Sequence, residues 1–411
     1  MKKVVVVGGG YGGLRAIESL EKQQNIEIIL LDQNSYHYLQ TEAYGYIAGK
    51  YDVHDIAIDL QSWCEGFHNV TFLQTKVNSV DFESQNISTQ EGIIDYDYLI
   101  LAVGARTNFF SFIEGLREHS YGVKFLNRAF NFRKEFESLL YDKLTHKSSH
   151  GNKKFNIAIG GAGLSGVEVA AEMAYVLKNY AKTIGKRADN IKIYLIDASH
   201  TILPGTSRYI IKHTKRRLEK LGVEILTNAF ISKVDDAKIY FKNGDELEYH
   251  FMIFTGGIKA PPLNESIECE KNRINQFIVD KTLNISGYKN VFAIGDCVET
   301  RDEKENILPP TAQTAERSAE YVAQAIIQRI DNREPKEFKA KVMGMFVALG
   351  GKYAVGEVFK FIKVSGYSAY LLKKAITHGY YLGLRLRINT GFKNRIKSVN
   401  SEKNFKKKFD L

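Results

Sequence analysis

The first apolar run, Val4-Val5-Val6-Val7, is short, β-branched and uninterrupted, the pattern of a strand buried on both faces of a parallel sheet. It runs directly into Gly8-Gly9-Gly10-Tyr11-Gly12-Gly13, after which Leu14 to Gln23 has helical composition and Ile26 to Leu31 forms a second apolar strand ending at Asp32. The order recurs further on. Phe155 to Ile159 is strand-like, Val167 to Lys178 reads as a helix, and Ile191 to Ile196 is a strand closed by Asp197. A later strand, Val291 to Ile294, closes on Gly295-Asp296, and Leu308 to Ala315 opens a further helix. Strands alternating with helices predict an α/β fold with parallel sheets.

The two glycine runs carry the first chemistry. Gly8, Gly10 and Gly13 fill a G-x-G-x-x-G template between a strand and a helix, and Asp32 follows Gly13 by nineteen residues. The first glycine allows the tight turn, the second lets backbone approach a pyrophosphate, and the third lets helix and strand pack. The helix N-terminus attracts the phosphate charge, and the acid accepts hydrogen bonds from ribose hydroxyls. Gly161, Gly163 and Gly166 repeat the template, with Asp197 thirty-one residues on because the polar segment 181–190 is inserted before the strand. A carboxylate at Asp197 would repel a 2′-phosphate, and no arginine immediately follows it, so NADH is expected over NADPH.

Composition narrows the class without changing it. The chain has 411 residues, 44% hydrophobic and 25% charged, which fits two or three ordinary globular domains. No run approaches the ~18 apolar residues of a membrane-spanning helix, and no signal peptide is expected. Cys64, Cys269 and Cys297 are far apart and form no CxxC pair, which argues against a disulfide framework and for a reducing compartment. The net charge is +10, but from Lys360 onward there are thirteen basic residues against two acids, so the body is neutral and the tail basic.

Two Rossmann-type units followed by Phe292-Ala293-Ile294-Gly295-Asp296 resemble the two-dinucleotide-binding flavoproteins, with Leu101 to Ala105 and Phe254 to Gly257 as the segments where the chain crosses between domains. No cysteine follows Asp32 in Tyr36 to Tyr44, where the thiol-dependent members of that superfamily resemble each other in carrying one. Leu308-Pro309-Pro310-Thr311-Ala312-Gln313-Thr314-Ala315 is similar to a signature of type II NADH dehydrogenases, the NADH:quinone oxidoreductases. Gly163 to Glu168, Gly104 to Phe110 and Ala375 to Leu382 extend that resemblance to the whole chain.

The resemblance implies an FAD domain (1–117 and 285–336) interrupted by an NADH domain (118–284), then a C-terminal amphipathic membrane-docking region (337–411). It implies FAD as cofactor, NADH as substrate, a membrane quinone as acceptor and a homodimer peripheral to the cytoplasmic side of the cell membrane, with no nucleic-acid partner. To the turn residues Gly8, Gly10, Gly13, Asp32, Gly161, Gly163, Gly166 and Asp197 it adds cofactor contacts at Tyr11, Gly12, Val77, Gly104, Gly257, Asp296 and Ala312. Catalytic roles fall on Glu168, in the first turn of its helix, as a proton carrier, and on Gln313 as a hydrogen-bond partner of the quinone carbonyl. Two departures stand out: Arg317 replaces a glutamine, and Gln40 to Tyr44 replaces a Pro-Leu-Leu-Tyr run. A sulfide:quinone oxidoreductase, another FAD-dependent NAD(P)H oxidoreductase and a nonenzymatic flavin-binding tether are the alternatives.

In the C-terminal region Leu372, Ile376, Tyr380, Leu384 and Ile388 recur every fourth residue, flanked by Lys373, Lys374, Arg385 and Arg387. Gly379 and Gly383 predict two short interfacial helices rather than one, facing lipid along that stripe. Lys406 to Lys408 is expected to be a lipid-attracted end, and the region as a whole to be a separable anchor.

Overall fold

The computed structural model describes residues 1–145, 155–183, 191–340, 343–359 and 361–390. Lys406 to Lys408 and most of the inserted segment 181–190 lie outside them.

The first sheet has five parallel strands in the order Val291–Ala293, Tyr98–Leu101, Lys2–Val7, Ile26–Asp32, Val70–Gln74. Its central strand is buried on both faces, as its composition demands. Val4 and Val6 pack beneath the helix Tyr11–Leu20, while Val5 and Val7 join Leu99, Leu101 and Val291 on the other face. The late strand Val291–Ala293 therefore returns to the sheet begun by residue 2.

A second parallel sheet runs Val223–Leu226, Ile191–Ile196, Phe155–Gly160, Phe251–Phe254. Between the sheets the chain crosses twice, and the two crossings pair with each other: Arg106–Thr107 forms an antiparallel ribbon with Ile258–Lys259. The architecture is thus two Rossmann units, the first interrupted by the second.

The helix after the second glycine turn begins at Leu164, three residues earlier than its apolar pattern suggests, and runs to Thr183. Glu168 consequently stands in the second turn, beyond reach of the helix-end charge, because Leu164 follows the turn without a spacer.

The C-terminal region also departs from expectation. After the hairpin Ala354–Val358 and Ile362–Gly366, one continuous helix spans Tyr367–Thr390, passing through Gly379 and Gly383. Each glycine costs a helix ~1 kcal/mol relative to alanine, and packing of the inner face offsets it: Ala369 and Leu384 are buried, while Tyr380 and Ile388 pack against the main core. The stripe read as lipid-facing is therefore divided. Leu372 and Ile376 point outward with Leu371, Leu382 and Leu386, whereas Tyr380, Leu384 and Ile388 face the body. Periodicity of four drifts around a helix of 3.6 residues per turn, so one run crosses from the outer face to the inner. Among the described residues no helix is long and apolar enough to cross a membrane.

Candidate active site

The two glycine turns have the same construction. Gly8 has φ +109° and Gly161 φ +100°, and a methyl group on either would strike the neighbouring crossing segment, Ala102 O at 2.3 Å or Gly256 N at 2.5 Å. Gly13 and Gly166 lie against their own turns, where a Cβ would sit 1.9 Å from the carbonyl oxygen of Gly8 or Gly161. Gly10 and Gly163, by contrast, have nothing within 4 Å of a Cβ position. The middle glycine of each turn opens onto space beside a helix N-terminus, the shape and polarity a pyrophosphate requires.

Each acid braces its turn. Asp32 accepts from Gly9 N–H at 2.7 Å and Asn34 N–H at 2.8 Å, and burial pushes its carboxyl up against those hydrogen bonds. Asp197 accepts from Ala162 N–H at 2.5 Å and Ser199 N–H at 2.7 Å. Both sit at the carboxyl ends of parallel strands, where ligands of open α/β sheets bind.

The other cofactor candidates gather around the first turn. Thr75 N–H donates to Asp32 O at 2.9 Å, which holds the start of the strand Val77–Asp81 beside that acid. Asp296 lies in a short 3₁₀ turn and pairs with Lys124 at 2.6 Å. A Cβ on Gly12 would meet Ile294 at 3.2 Å and Ala315 O at 3.4 Å, so the helix opening at Ala312 packs directly on the first turn. Thr311 caps that helix by accepting from Thr314 N–H at 3.2 Å. Gly104, with φ +67°, has open space at its Cβ position, and Gly257 O accepts from Asn108 N–H at 3.0 Å where the crossings meet.

Gln313 is half-buried, and its Oε1 accepts from Met343 N–H at 3.0 Å. Arg317 pairs with Glu320 at 2.9 Å, and Glu320 also accepts from Arg15. Glu316, beside them, is pushed up to about 7 by burial.

Glu168 and Lys373 form a buried pair at 2.9 Å, with Ala348 N–H also donating to Glu168 at 2.9 Å. Burial raises the Glu168 carboxyl against the pull of Lys373. Burial lowers Lys373, but the carboxylates of Glu168 and Glu42 outweigh it and hold the ammonium above its ordinary range. Lys373 was read as a flanking, lipid-attracted charge; it points inward because an acid 205 residues away requires a counter-ion.

Three aromatic rings cover the first turn. Tyr11 stacks on Tyr380 at 4.9 Å, and His37 meets Tyr11 edge-on at 4.9 Å. His37 Nδ1 faces Gly9 O at 2.9 Å and Nε2 faces the Tyr380 hydroxyl at 3.1 Å, so Nδ1 carries the proton and Tyr380 donates. Burial pulls His37 down to about 4 and keeps the ring neutral near pH 7. Sequence reasoning missed Lys373, Tyr380 and His37 as parts of one site. Tyr380 stood in the run Ala375 to Leu382 that carries the resemblance, and the departure at Gln40 to Tyr44 lay close after His37.

All three cysteines are free, and burial pushes the Cys64 and Cys297 thiols up to about 12, far from a thiolate at neutral pH.

Residues 2–319 match the pyridine nucleotide-disulphide oxidoreductase family. The chain belongs to this family. Among individual proteins it is similar to the type II NADH:quinone oxidoreductase of Staphylococcus aureus strain MSSA476, 29% identical over 391 residues, covering 91% of this chain and 94% of that one. The fold matches the structure of NDH2 from Plasmodium falciparum in complex with NADH, with a TM-score of 0.82 at 21% identity over 97% of this chain and 98% of that one. It also matches the sulfide:quinone oxidoreductase of Aquifex aeolicus, with a TM-score of 0.79 at 21% identity over 94% and 92% of the two chains.

Proposed function

We propose that the chain is an NADH:quinone oxidoreductase that takes hydride from NADH onto a noncovalent FAD and passes two electrons to a membrane quinone. The observation that carries this reading is that each glycine turn packs on a crossing segment, Gly8 on Ala102 and Gly161 on Gly256, that the two crossings pair, and that the Ala312 helix packs on the first turn. The named S. aureus relative, aligned over nearly the whole of both chains, supports it.

An FAD fits the first turn because the open position at Gly10, the brace at Asp32 and the Lys124–Asp296 pair supply an anion cradle, a ribose acceptor and a polar partner for the ribityl region. Tyr11, Gly12, Val77, Gly104 and Ala312 complete the cradle in this reading, within a domain formed by 1–117 and 285–336. A flavin bound there would supply two-electron chemistry between a hydride donor and a quinone. Gly161, Gly163, Gly166, Asp197 and Gly257 hold NADH on the 118–284 domain, Asp197 favouring it over NADPH by charge. Gln313, whose oxygen is occupied by Met343, offers its amide N–H groups to a quinone carbonyl. Glu168 holds a proton for the acceptor, its carboxyl raised by burial.

The quinone is reached from the bilayer. The outer face of the helix Tyr367–Thr390 and the tip of the preceding hairpin expose Ile376 at 62% and Phe361 at 72%, an apolar surface suited to the interfacial zone. Region 337–411 then docks the enzyme as a peripheral homodimer on the cytoplasmic side of the cell membrane.

Anaerobic titration of the yellow protein with NADH tests the reading. Flavin absorbance should bleach, and addition of quinone should restore it. A flavin that NADH does not bleach sinks the enzyme reading, and one that bleaches but is reoxidised by no quinone sinks the acceptor.

A further inference from the structure

The helix Arg208–Leu221 belongs to the second Rossmann unit, and the proposed function gives it no task. It carries six basic residues against one acid, Glu219, within a body that is neutral as a whole. Ser207 caps it, accepting from Ile210 N–H at 3.3 Å, and Gly222, with φ +85°, ends it.

Its faces differ in what they meet. Ile210, Thr214 and Leu218 are buried. Tyr209 and Arg217, with His213 between them, lie one position back along each turn and face the strands that precede the C-terminal helix. Arg217 donates to Leu349 O at 2.9 Å and Gly350 O at 3.1 Å, and its guanidinium lies 4.7 Å over the Tyr353 ring. The Lys363 ammonium lies 5.7 Å over the Tyr209 ring. At 3.6 residues per turn Lys212, Lys215 and Arg216 point away from the buried face, and all three are exposed. Among the described residues none of the three side chains has an ion pair or a hydrogen bond. Lys212 is four residues from Arg216 and three from Lys215, so like charges stand side by side and repel, and an anionic partner relieves that repulsion.

Lys363 fixes where this basic face lies. It follows the exposed Phe361 and Ile362 at the hairpin tip and reaches back to Tyr209, in the first turn of the basic helix. The basic face therefore borders the apolar tip. We propose that it docks on anionic lipid headgroups, as a second membrane contact beside that tip. The proposal rests on the bilayer-docking reading above. An apolar side chain enters the interfacial zone of any bilayer, whereas ammonium and guanidinium groups gain only where the headgroups carry negative charge. Phe361 thus supplies attachment, and Lys212, Lys215 and Arg216 supply a preference for leaflet charge. The contact holds the second Rossmann unit against the surface as well as the C-terminal helix.

Sedimentation of the full-length holoenzyme with vesicles of phosphatidylcholine, with and without phosphatidylglycerol, tests this. Lys212→Gln/Lys215→Gln/Arg216→Gln should weaken binding to the anionic vesicles at least about tenfold at low salt and flatten its salt dependence. Binding to the neutral vesicles should not change. Phe361→Ser should weaken binding to both. The triple variant should keep the wild-type thermal midpoint and flavin content, because its side chains are exposed and unpaired. Acetylation footprinting of the wild type locates the contact and decides even if the variant misfolds: Lys212 and Lys215 should be modified in solution and protected on anionic vesicles. Equal affinity of wild type and folded triple variant for anionic vesicles, or Lys212 and Lys215 as reactive on those vesicles as in solution, overturns the proposal and leaves the docking reading standing. A wild type that sediments with neither vesicle overturns the docking reading and this contact with it.

Discussion

In the first glycine turn a methyl on Gly13 would lie 1.9 Å from the Gly8 carbonyl oxygen, and in the second a methyl on Gly166 would lie 1.9 Å from that of Gly161. Both turns open at the middle glycine, and both are braced by an acid from the next strand. The surroundings diverge. Over the first lie the rings of Tyr11, His37 and Tyr380, with the Ala312 helix packed at its side. From the second, the helix carries Glu168 away to a lysine of the C-terminal helix. A repeated motif thus gives two turns of one construction, and what distinguishes them lies in the contacts around each.

The comparison breaks most sharply at the third glycines. Gly13→Ala and Gly166→Ala each force apart backbone atoms, at a cost of ~3 kcal/mol or more. Gly13→Ala should yield colourless protein, whereas Gly166→Ala should stay yellow but resist bleaching by NADH; absorbance spectra before and after NADH distinguish them. If both variants lose flavin, the assignment of one cradle to each ligand fails.

A smaller effect sharpens the same contrast at the acids. Asp197→Ala should cut the preference for NADH over NADPH by about tenfold, the value of one charge-assisted contact of ~1.4 kcal/mol. Asp32→Ala should leave that preference alone and weaken flavin retention, measured by the flavin released on dilution.

A last effect, silent at neutral pH, concerns the cover over the first turn alone. His37 titrates near 4 in the folded chain against an ordinary 6.5, so the unfolded chain takes up the proton first. The associated stability is fully present above pH 6.5 and drains as pH falls toward 4. Thermal unfolding midpoints should decline through that window, and His37→Gln should flatten the decline. An equal slope in both proteins would show that the ring is not what titrates.

The glycine turns and the strands around them were legible because their constraints are local: a positive φ, a close carbonyl and an acid at a strand end each leave a mark on residues near in sequence. Ile191–Ile196, for example, is a strand with the bounds its composition suggests. Glu168 was legible as a residue but not as a contact, because its partner Lys373 lies 205 residues away and its helix begins earlier than the apolar pattern does. Lys373 and Tyr380 looked like parts of a lipid-facing surface, since periodicity reveals that a helix has faces without revealing what each one meets. Glu42 was visible only as part of a departure from a resembling run, and its place beside Lys374 is a property of two elements distant in sequence.

The helix Tyr367–Thr390 carries Leu371, Leu372, Leu382 and Leu386 outward while sending Lys373 inward to Glu168 and Tyr380 to Tyr11. One rod therefore carries an exposed apolar side and a side packed on distant acids and aromatics, and a change in its course alters both. A chain cut at Phe359 would lose the counter-ion of Glu168 and the ring over Tyr11 along with its exposed leucines, so a trimmed protein would be a different catalyst and not the same catalyst set free. Among the described residues the outward side is held by nothing comparable at Leu382, which is exposed, while the inward side is anchored by distant acids and aromatics.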